Sequence, residues 1–203
     1  MLKFKIVLAG DKNVGKSSLI ARFVDGIFLT ASMDTIGVAF KRKKISLDDR
    51  KDLDLTIWDF GGEEKYRSLF PQYVHGAVGA LILFDTTRKE TLDGVKDWLE
   101  IIDKNADENL IKVLVATKID LKVEKQVDIK DALKLAKDFN FYGDPISISS
   151  KTGENVQNAF YKVARGITNI RLQRCKNCGE LFSKNLKICN YCGEEVEMKA
   201  LTS

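Results

Sequence analysis

The chain contains 203 residues, of which 44% are hydrophobic and 31% are charged. This length holds one domain of ordinary size with little left over, and the composition argues against disorder for most of the chain. The net charge of +4, from 33 basic and 29 acidic residues, is too even to indicate nucleic-acid or membrane binding by itself. No stretch approaches the ~20 consecutive apolar residues that span a bilayer, so we expect a cytoplasmic protein without a transmembrane segment.

Segments with strand-like and helix-like patterns alternate along the chain, which predicts an α/β fold with helices on both faces of a mostly parallel sheet. A polar turn at residues 48–50 predicts an antiparallel hairpin, so one edge strand of the six runs against the others. The predicted strands are Phe4–Ala9, Val38–Leu47, Leu53–Trp58, Gly79–Phe84, Lys112–Ala116 and Ile146–Ile148. The predicted helices are Ser17–Val24, Thr91–Lys104, Asp128–Asp138 and Val156–Ile170.

The first predicted strand leads into the loop Gly10–Ser17, which has the G-x-x-x-x-G-K-S pattern and opens the first helix. This is the strand–loop–helix context that a P-loop NTPase fold requires, and the alternative is a glycine-rich turn that matches by chance. Gly10 and Gly15 let the backbone bend around an anion. Lys16 adds a full positive charge, and the hydroxyl of Ser17 is a ligand for Mg²⁺. The loop predicts a nucleoside triphosphate site formed by Gly10, Asn13, Val14, Gly15, Lys16, Ser17 and Ser18.

Two further motifs follow predicted strands at the sheet edge where open parallel sheets bind ligands. They are Thr117–Asp120, after the fifth strand, and Ser149–Lys151, after the sixth. The carboxylate of Asp120 can accept hydrogen bonds from N1–H and the 2-amino group of guanine, and adenine has neither donor. Taken alone, Asp120 could also be a helix N-cap. Together with the phosphate loop, it predicts a guanine nucleotide.

These motifs together resemble those of the Ras-superfamily small GTPases, most closely the Rab branch, over residues 1 to about 170. The matching runs are Gly10–Ser17, Thr35–Val38, Trp58–Gly62, Tyr66–Leu69, Thr117–Asp120 and Ser149–Lys151. The resemblance implies a molecular switch that binds GTP or GDP with Mg²⁺, hydrolyses GTP slowly and signals to effector proteins. Exchange-factor and activating proteins are further implied partners, and we expect the switch to be monomeric.

The resemblance also implies roles for single residues. Thr35 and Asp59 would hold Mg²⁺, the latter through water, and the N–H of Gly62 would sense the γ-phosphate together with Thr35. Phe28 would pack edge-on against the guanine. The rest of the base site would be Thr117, Lys118, Asp120, Ser149, Ser150 and Lys151. The implied catalytic residues are Lys16, Thr35, Gly62 and Glu63.

Two segments of such a switch, Asp25–Thr35 and Phe60–Tyr73, would be ordered by contacts that exist only when a γ-phosphate is bound. Phe40, Trp58 and Tyr73 flank these segments, and by family analogy they would form an effector surface. The alternative interpretation is that they are ordinary core aromatics.

Three positions depart from the family pattern. Glu63 stands where the family has a Gln that orients the attacking water. Its carboxylate could accept a proton from that water or repel the γ-phosphate, and about 4 kcal/mol of Coulomb repulsion at 4 Å and an effective dielectric of 20 would displace it. Lys12 replaces a Gly or Ser, and its ammonium would either neutralise the γ-phosphate or point to solvent. Thr117 replaces an Asn, which we expect to weaken one tether to the phosphate loop.

All four cysteines lie close together in two C-x-x-C pairs, each followed by Gly, with ten residues between the pairs. Four thiolates at this spacing, Cys175, Cys178, Cys189 and Cys192, can surround one zinc ion tetrahedrally. Reduced cytosolic thiols disfavour disulfides, and iron is the main alternative to zinc. No open coordination position remains, so the site would be structural and would be needed for folding. We therefore predict a GTPase domain at residues 1–172 and a zinc-ribbon-like module at residues 173–203.

The predicted zinc module occupies the place of the flexible, lipidated tail of Ras and Rab proteins, and the chain shows no C-terminal prenylation motif. We therefore expect the module to dock to a protein, which could also recruit the chain to membranes. RNA is the less favoured partner, because Glu194, Glu195 and Glu197 dilute the basic charge of the tail. Two alternatives to a hydrolysing switch remain, a nucleotide-binding scaffold with little hydrolysis and an RNA- or translation-linked GTPase.

Overall fold

A computed structural model describes residues 2–30, 37–47, 51–61 and 69–195. The predictions for Thr35, Gly62 and Glu63 fall outside the described residues. Most of the resemblance motif at 66–69 also lies outside them. The phosphate loop, both predicted base motifs and all four cysteines lie within the described part of the chain.

Six strands form one sheet in the order β2-β3-β1-β4-β5-β6. Every neighbouring pair in it is parallel except β2 and β3, which form an antiparallel hairpin at the edge. The predicted six-stranded mixed sheet is therefore confirmed. The strands are β1 (Leu2–Ala9), β2 (Val38–Leu47), β3 (Lys51–Phe60), β4 (Gly79–Asp85), β5 (Ile111–Thr117) and β6 (Ile146–Ser147).

Strands β4 and β5 form the interior of the sheet because their sequences are almost continuously apolar, as strands covered on both faces require. Every residue of β4 is buried, and in β5 only Lys112 is partly exposed. Two polar residues stand at their carboxyl ends, Asp85 on β4 and Thr117 on β5, and both are buried. Asp85 and Thr117 are paired in the β4–β5 register. They therefore lie side by side at the sheet edge where the sequence predicts the nucleotide.

Helices cover both faces of the sheet and bury two separate apolar clusters. One cluster packs the first and last helices against the sheet, with Phe23 and Phe160 stacked at 3.8 Å between ring centroids. The other cluster is centred on Trp98, Phe70 and Phe84. The helices are α1 (Lys16–Asp25), α2 (Phe70–Val74), α3 (Lys89–Asp93), α4 (Val95–Asn105), α5 (Ile129–Asp138) and α6 (Val156–Arg171), and a 3₁₀ turn spans Lys122–Glu124.

The predicted helix Thr91–Lys104 is divided into α3 and α4 at Gly94. At this point the backbone approaches the phosphate loop so closely that a Cβ atom on Gly94 would lie 2.7 Å from Oδ2 of Asp11. The same carboxylate accepts a hydrogen bond of 2.9 Å from the indole of Trp98. Apolar periodicity could not locate this break, because the contact that accompanies it comes from a residue far away in the chain.

A two-stranded antiparallel sheet follows α6 directly, formed by β7 (Leu172–Arg174) and β8 (Leu181–Ser183). Leu172 belongs to the apolar cluster that contains Phe23 and Phe160, which is the main apolar cluster, and Leu181 packs against this cluster. The backbone N–H of Lys184 donates to the carbonyl of Arg171, the last residue of α6. In the described residues, no helix combines the length and apolarity needed to cross a membrane.

Candidate functional site

The loop between β1 and α1 is shaped by backbone conformations that favour glycine. Gly10 has φ +139° and Gly15 has φ +96°, while Asn13 adopts the left-handed region at φ +63°. A Cβ atom on Gly10 would lie 2.4 Å from the carbonyl oxygen of Leu83, which no relaxation of a flexible side chain could relieve. Gly10 is therefore required both by its conformation and by the close approach of β4. The predicted strand–loop–helix context of the phosphate loop is present.

Lys16 begins α1 and is held inside the loop that precedes it. Its Nζ donates hydrogen bonds to the carbonyl oxygens of Gly10 at 2.7 Å and Asp11 at 2.8 Å. The side chain is buried, and this burial lowers the pKa of Lys16 to about 8 although Asp59 and Asp11 act in the opposite direction. Burying an ammonium group costs free energy, and an anion bound beside the group would offset that cost. The loop is thus electrostatically suited to bind phosphate.

The residues predicted to hold Mg²⁺ fit a hard cation where the structure describes them. Ser17 lies in the first turn of α1, next to Lys16. Asp59 lies near the end of β3, is 6% exposed and interacts electrostatically with Lys16. A hydroxyl and a carboxylate beside a phosphate loop are the oxygen ligands that Mg²⁺ uses in nucleotide sites. The other predicted ligand, Thr35, lies outside the described residues.

The motif after β5 is connected to the phosphate loop by a hydrogen bond. Thr117 Oγ1 lies 2.8 Å from the carbonyl oxygen of Val14 and 2.9 Å from that of Phe84. Thr117 therefore keeps the hydrogen bond to the phosphate loop that we expected to be weakened. Its hydroxyl has one proton to share between two acceptors, whereas the amide of an Asn has two. The other end of the motif is fixed too, because Ser149 Oγ donates to Oδ1 of Asp120 at 2.7 Å. The structure thus brings together the phosphate loop and the two predicted base motifs.

Lys118 has a left-handed backbone at φ +60°, an uncommon conformation for a residue with a side chain. Its Nζ pairs with Oδ2 of Asp85 at 2.6 Å. The carbonyl of Lys118 lies 3.4 Å from Thr86 Oγ1, which also donates to the carbonyl of Thr117. These contacts fix both the main chain and the ammonium group of Lys118.

Arg22 is a functional residue that the sequence analysis missed. Its guanidinium donates to the carbonyl oxygens of Ser150 at 2.7 Å and Lys151 at 2.6 Å. A third hydrogen bond of 2.9 Å reaches the carbonyl of Gly26, the residue that caps α1. Arg22 therefore holds the predicted guanine loop against the segment that carries Phe28. The available signal was a single arginine in the last turn of a helix whose other charged residues are Lys16 and Asp25.

Phe28 is 36% exposed and follows the α1 cap, so its predicted contact with a base is geometrically open and stays a prediction. The three aromatics of the predicted effector surface lie together. Trp58 lies 5.3 Å from Phe40 and 5.6 Å from Tyr73 between ring centroids. Phe40 is 61% exposed, whereas Trp58 and Tyr73 are half-buried. The group is therefore a surface cluster with one prominent exposed ring.

The four cysteines converge although they lie on two separate turns. Sγ of Cys175 lies 3.6 Å from that of Cys192, and Sγ of Cys178 lies 3.7 Å from that of Cys189. All four sulfur atoms lie within 4.8 Å of one another. Sulfur atoms 2.3 Å from a tetrahedral zinc ion are separated by about 3.8 Å, so the arrangement fits such an ion.

Both cysteine turns repeat one backbone pattern. In the first, the N–H of Cys175 donates to Glu180 and that of Gly179 donates to Cys175; in the second, Cys189 donates to Glu194 and Gly193 donates to Cys189. Gly179 and Gly193 both have φ between +70° and +80°. N–H groups of Cys178 and Asn177 lower the pKa of the Cys175 thiol to about 7, whereas desolvation and hydrogen bonds to the other cysteines raise the pKa of the Cys178 thiol to about 12.

The fold and the site define a P-loop nucleotide-binding protein. Residues 5–169 match the Ras family, and the chain belongs to that family. It is 42% identical over 167 residues to "Ras-related protein Rab-1D" of Dictyostelium discoideum, covering 82% of this chain and 80% of that protein. It is 37% identical over 163 residues to "GTP-binding protein ypt2" of Schizosaccharomyces pombe, covering 80% of each. "Ras-related protein RABA4b" of Arabidopsis thaliana is 34% identical over 206 residues, covering 98% of this chain and 90% of that protein. The Rab-like resemblance is confirmed.

Proposed function

We propose that this protein is a small GTPase switch that binds GTP and GDP with Mg²⁺, hydrolyses GTP slowly and signals to effector proteins. The observation that carries this proposal is the joining of the phosphate loop to the Asp120 motif at one sheet edge, through the hydrogen bond between Thr117 and Val14. Membership of the Ras family supports the same function.

The phosphate loop would bind the nucleotide through its backbone N–H groups and the ammonium of Lys16. Bound phosphates would take the place of the carbonyl contacts of Lys16 and would supply the counter-charge for its buried cation. Gly10, Asn13, Val14, Gly15, Ser17 and Ser18 complete this cradle. Ser17 and Asp59, with Thr35, would hold the magnesium ion, which neutralises charge on the phosphates of the bound nucleotide.

Asp120 would select guanine. Its carboxylate is oriented by Ser149, and an adenine base would offer it no donor. Leaving a carboxylate without a partner is what allows such sites to reject an analogue by about 10⁴-fold or more. Lys118 and Lys151 would flank the base with their methylene groups. Phe28 would cover its edge, and the N–H of Ser150 would meet its O6 atom.

Hydrolysis by the isolated chain is expected on the order of 10⁻⁴ s⁻¹, since Ras-type sites need an activating protein for about 10⁵-fold more. Thr35, Gly62 and Glu63 would act at the γ-phosphate. Single-turnover hydrolysis with phosphate detection separates the switch from a scaffold, because a scaffold would keep GTP intact for many hours. Turnover near 1 s⁻¹ without a partner would contradict the dependence on an activating protein.

Calorimetry with GDP and ADP in the presence of Mg²⁺ tests the site itself. The wild type is expected to bind GDP and to reject ADP. Asp120→Ala should reduce this preference, whereas Lys16→Ala should weaken the binding of any nucleotide through its phosphates. Equal affinity of the wild type for GDP and ADP would refute the proposed function.

Phe40, Trp58 and Tyr73 are proposed to form the effector surface. Phe40 is the test position, because its ring is the most exposed of the three and its removal leaves little of the core uncovered. Phe40→Ala is expected to abolish effector capture by the GTP-bound form while nucleotide affinity stays within twofold of the wild type. The exposed Val123 provides a matched control, since Val123→Ala removes apolar surface elsewhere on the protein.

We also propose that residues 173–203 form a structural zinc module appended to a GTPase domain at residues 1–172. The convergence of four sulfur atoms supports this proposal. Protein purified under reducing conditions is expected to contain one zinc ion per chain, and the Cys175→Ser/Cys189→Ser variant should contain none. Ser183→Ala, on β8, should retain the metal. Absence of bound metal in the wild type would contradict the proposal, and bound iron would assign the site to the alternative ion.

A further inference from the structure

Asp85, the last residue of β4, is a fully buried carboxylate at the centre of the nucleotide edge. Its Oδ1 accepts hydrogen bonds from the N–H and the hydroxyl of Thr87, at 2.9 and 2.7 Å. Its Oδ2 accepts from two cations, Lys118 at 2.6 Å and Arg88 at 3.2 Å. A buried carboxylate is stable only when paired in this way, and the two cations are therefore held together by it.

Arg88 makes a second contact that extends this group to the phosphate loop. Its Nη2 donates to the carbonyl oxygen of Lys12 at 2.9 Å, while its Nε contacts Asp85. The residue itself is fixed by its surroundings, because its N–H donates to the carbonyl of Asp85 and its own carbonyl accepts from the hydroxyl of Thr91 at 2.7 Å. The guanidinium is thus presented in one orientation between two partners.

A continuous polar connection results, from the phosphate loop through Arg88 and Asp85 to the base motif at Lys118. A planar guanidinium can make two directional contacts at once, which the single ammonium of a lysine cannot do. The connection runs parallel to the Thr117–Val14 hydrogen bond but uses different residues. Among the described residues, the Thr117–Asp120 motif and the phosphate loop are therefore connected both by a hydroxyl and by a charged bridge.

We propose that Arg88 is a positioning residue that couples the phosphate loop to Lys118 through Asp85 and thereby slows the release of GDP and GTP. This inference rests on the proposed function. Release of a nucleotide requires both halves of the site to open, and the bridge opposes their separation. The two contacts of the guanidinium are with Asp85 and the carbonyl of Lys12, neither of which is an implied catalytic group, so the expected effect is on nucleotide retention and not on the hydrolysis step.

The release of a fluorescent GDP analogue, measured with excess unlabelled GDP and saturating Mg²⁺, tests the bridge. Arg88→Gln is expected to release the analogue about tenfold faster or more, since hydrogen bonds to charged groups are lost on both sides. Lys89→Gln removes a neighbouring exposed charge and should leave release within twofold of the wild type. Thermal unfolding with saturating GDP verifies that each variant is folded.

A conservative variant and a double-mutant cycle separate the bridge from a general structural role. Arg88→Lys keeps the charge but not both contacts, so it should release the analogue within threefold of Arg88→Gln. In an Asp85→Asn background, Arg88→Gln should add less than twofold, because the bridge is already broken. The single-turnover rate of GTP hydrolysis should stay within twofold of the wild type in Arg88→Gln.

Three results would overturn the inference: wild-type release in Arg88→Gln, wild-type release in Arg88→Lys, or a tenfold loss of hydrolysis in Arg88→Gln. The last result would place the arginine at the γ-phosphate. A wild-type protein that fails to retain the GDP analogue would instead refute the proposed function.

Discussion

The hydroxyl oxygen of Thr117 lies 2.8 Å from the carbonyl oxygen of Val14, and this contact joins the end of β5 to the phosphate loop. The two residues are 103 positions apart in the chain. Both are buried, so water cannot replace the hydrogen bond when it is lost. The Thr117 hydroxyl is therefore one of the connections between the base motif and the phosphate loop, beside the bridge through Arg88 and Asp85.

The variant Thr117→Val tests this contact, because valine has the same shape but no donor. Buried carbonyls that lose a side-chain donor cost about 1–3 kcal/mol, so we expect GDP release to accelerate about tenfold or more. Release of a fluorescent GDP analogue measures the effect. Thr168→Val is the control, since its hydroxyl donates to Ala164 within α6. Equal release by Thr117→Val and the wild type would show that the tether does not act on the nucleotide.

A variant at Arg22 tests how the predicted guanine-binding loop Ser149–Lys151 is held in place. Arg22→Gln removes the hydrogen bonds to the carbonyls of Ser150 and Lys151, which then lose a charged donor. We expect faster hydrogen exchange at residues 149–153 and GDP affinity reduced about tenfold, because the loop is no longer ordered before the base binds. Lys137→Gln, on the exposed face of α5, should change neither. Unchanged exchange at 149–153 would contradict this role.

The sequence predicted the sheet, the phosphate loop and the position of Asp120 because each depends on local pattern. β4 and β5 are apolar throughout, and the loop glycines are set by backbone conformation. The residues it missed, Arg22, Asp85 and Arg88, act through contacts across the chain. Arg88 binds a carbonyl 76 positions away, and Arg22 binds carbonyls 128 and 129 positions away. No spacing rule relates such residues, so only the folded arrangement assigns them.

The close approach at Gly10 leads to a stability prediction. Gly10→Ala combines a left-handed backbone with a Cβ atom 2.4 Å from the carbonyl oxygen of Leu83. Gly76→Ala is a matched control, because it has φ +73° but open space around the new atom. We expect Gly76→Ala to cost about 1 kcal/mol and Gly10→Ala at least about 2 kcal/mol more. Denaturant unfolding measures both, and equal costs would show that β4 moves freely away from the loop.

Removal of the metal that we propose the four cysteines bind should affect the tail and spare the nucleotide site. Strands β7 and β8 have three residues each, too few to persist without the metal, whereas Leu172 stays anchored in the main apolar cluster. Arg171 also remains attached to the domain through Asp107 and the carbonyl of Asn109. The loss of structure is therefore expected to stop at the end of α6.

Hydrogen exchange before and after treatment with a zinc-selective chelator measures this boundary. The amides that close the two cysteine turns, those of Cys175, Gly179, Cys189 and Gly193, should lose protection. Amides within α6 should keep theirs, and GDP affinity should change by less than twofold. Protection that persists in the turns after the metal is gone would show that the module folds without it. A large loss of GDP affinity would show that the metal supports the nucleotide site through α6.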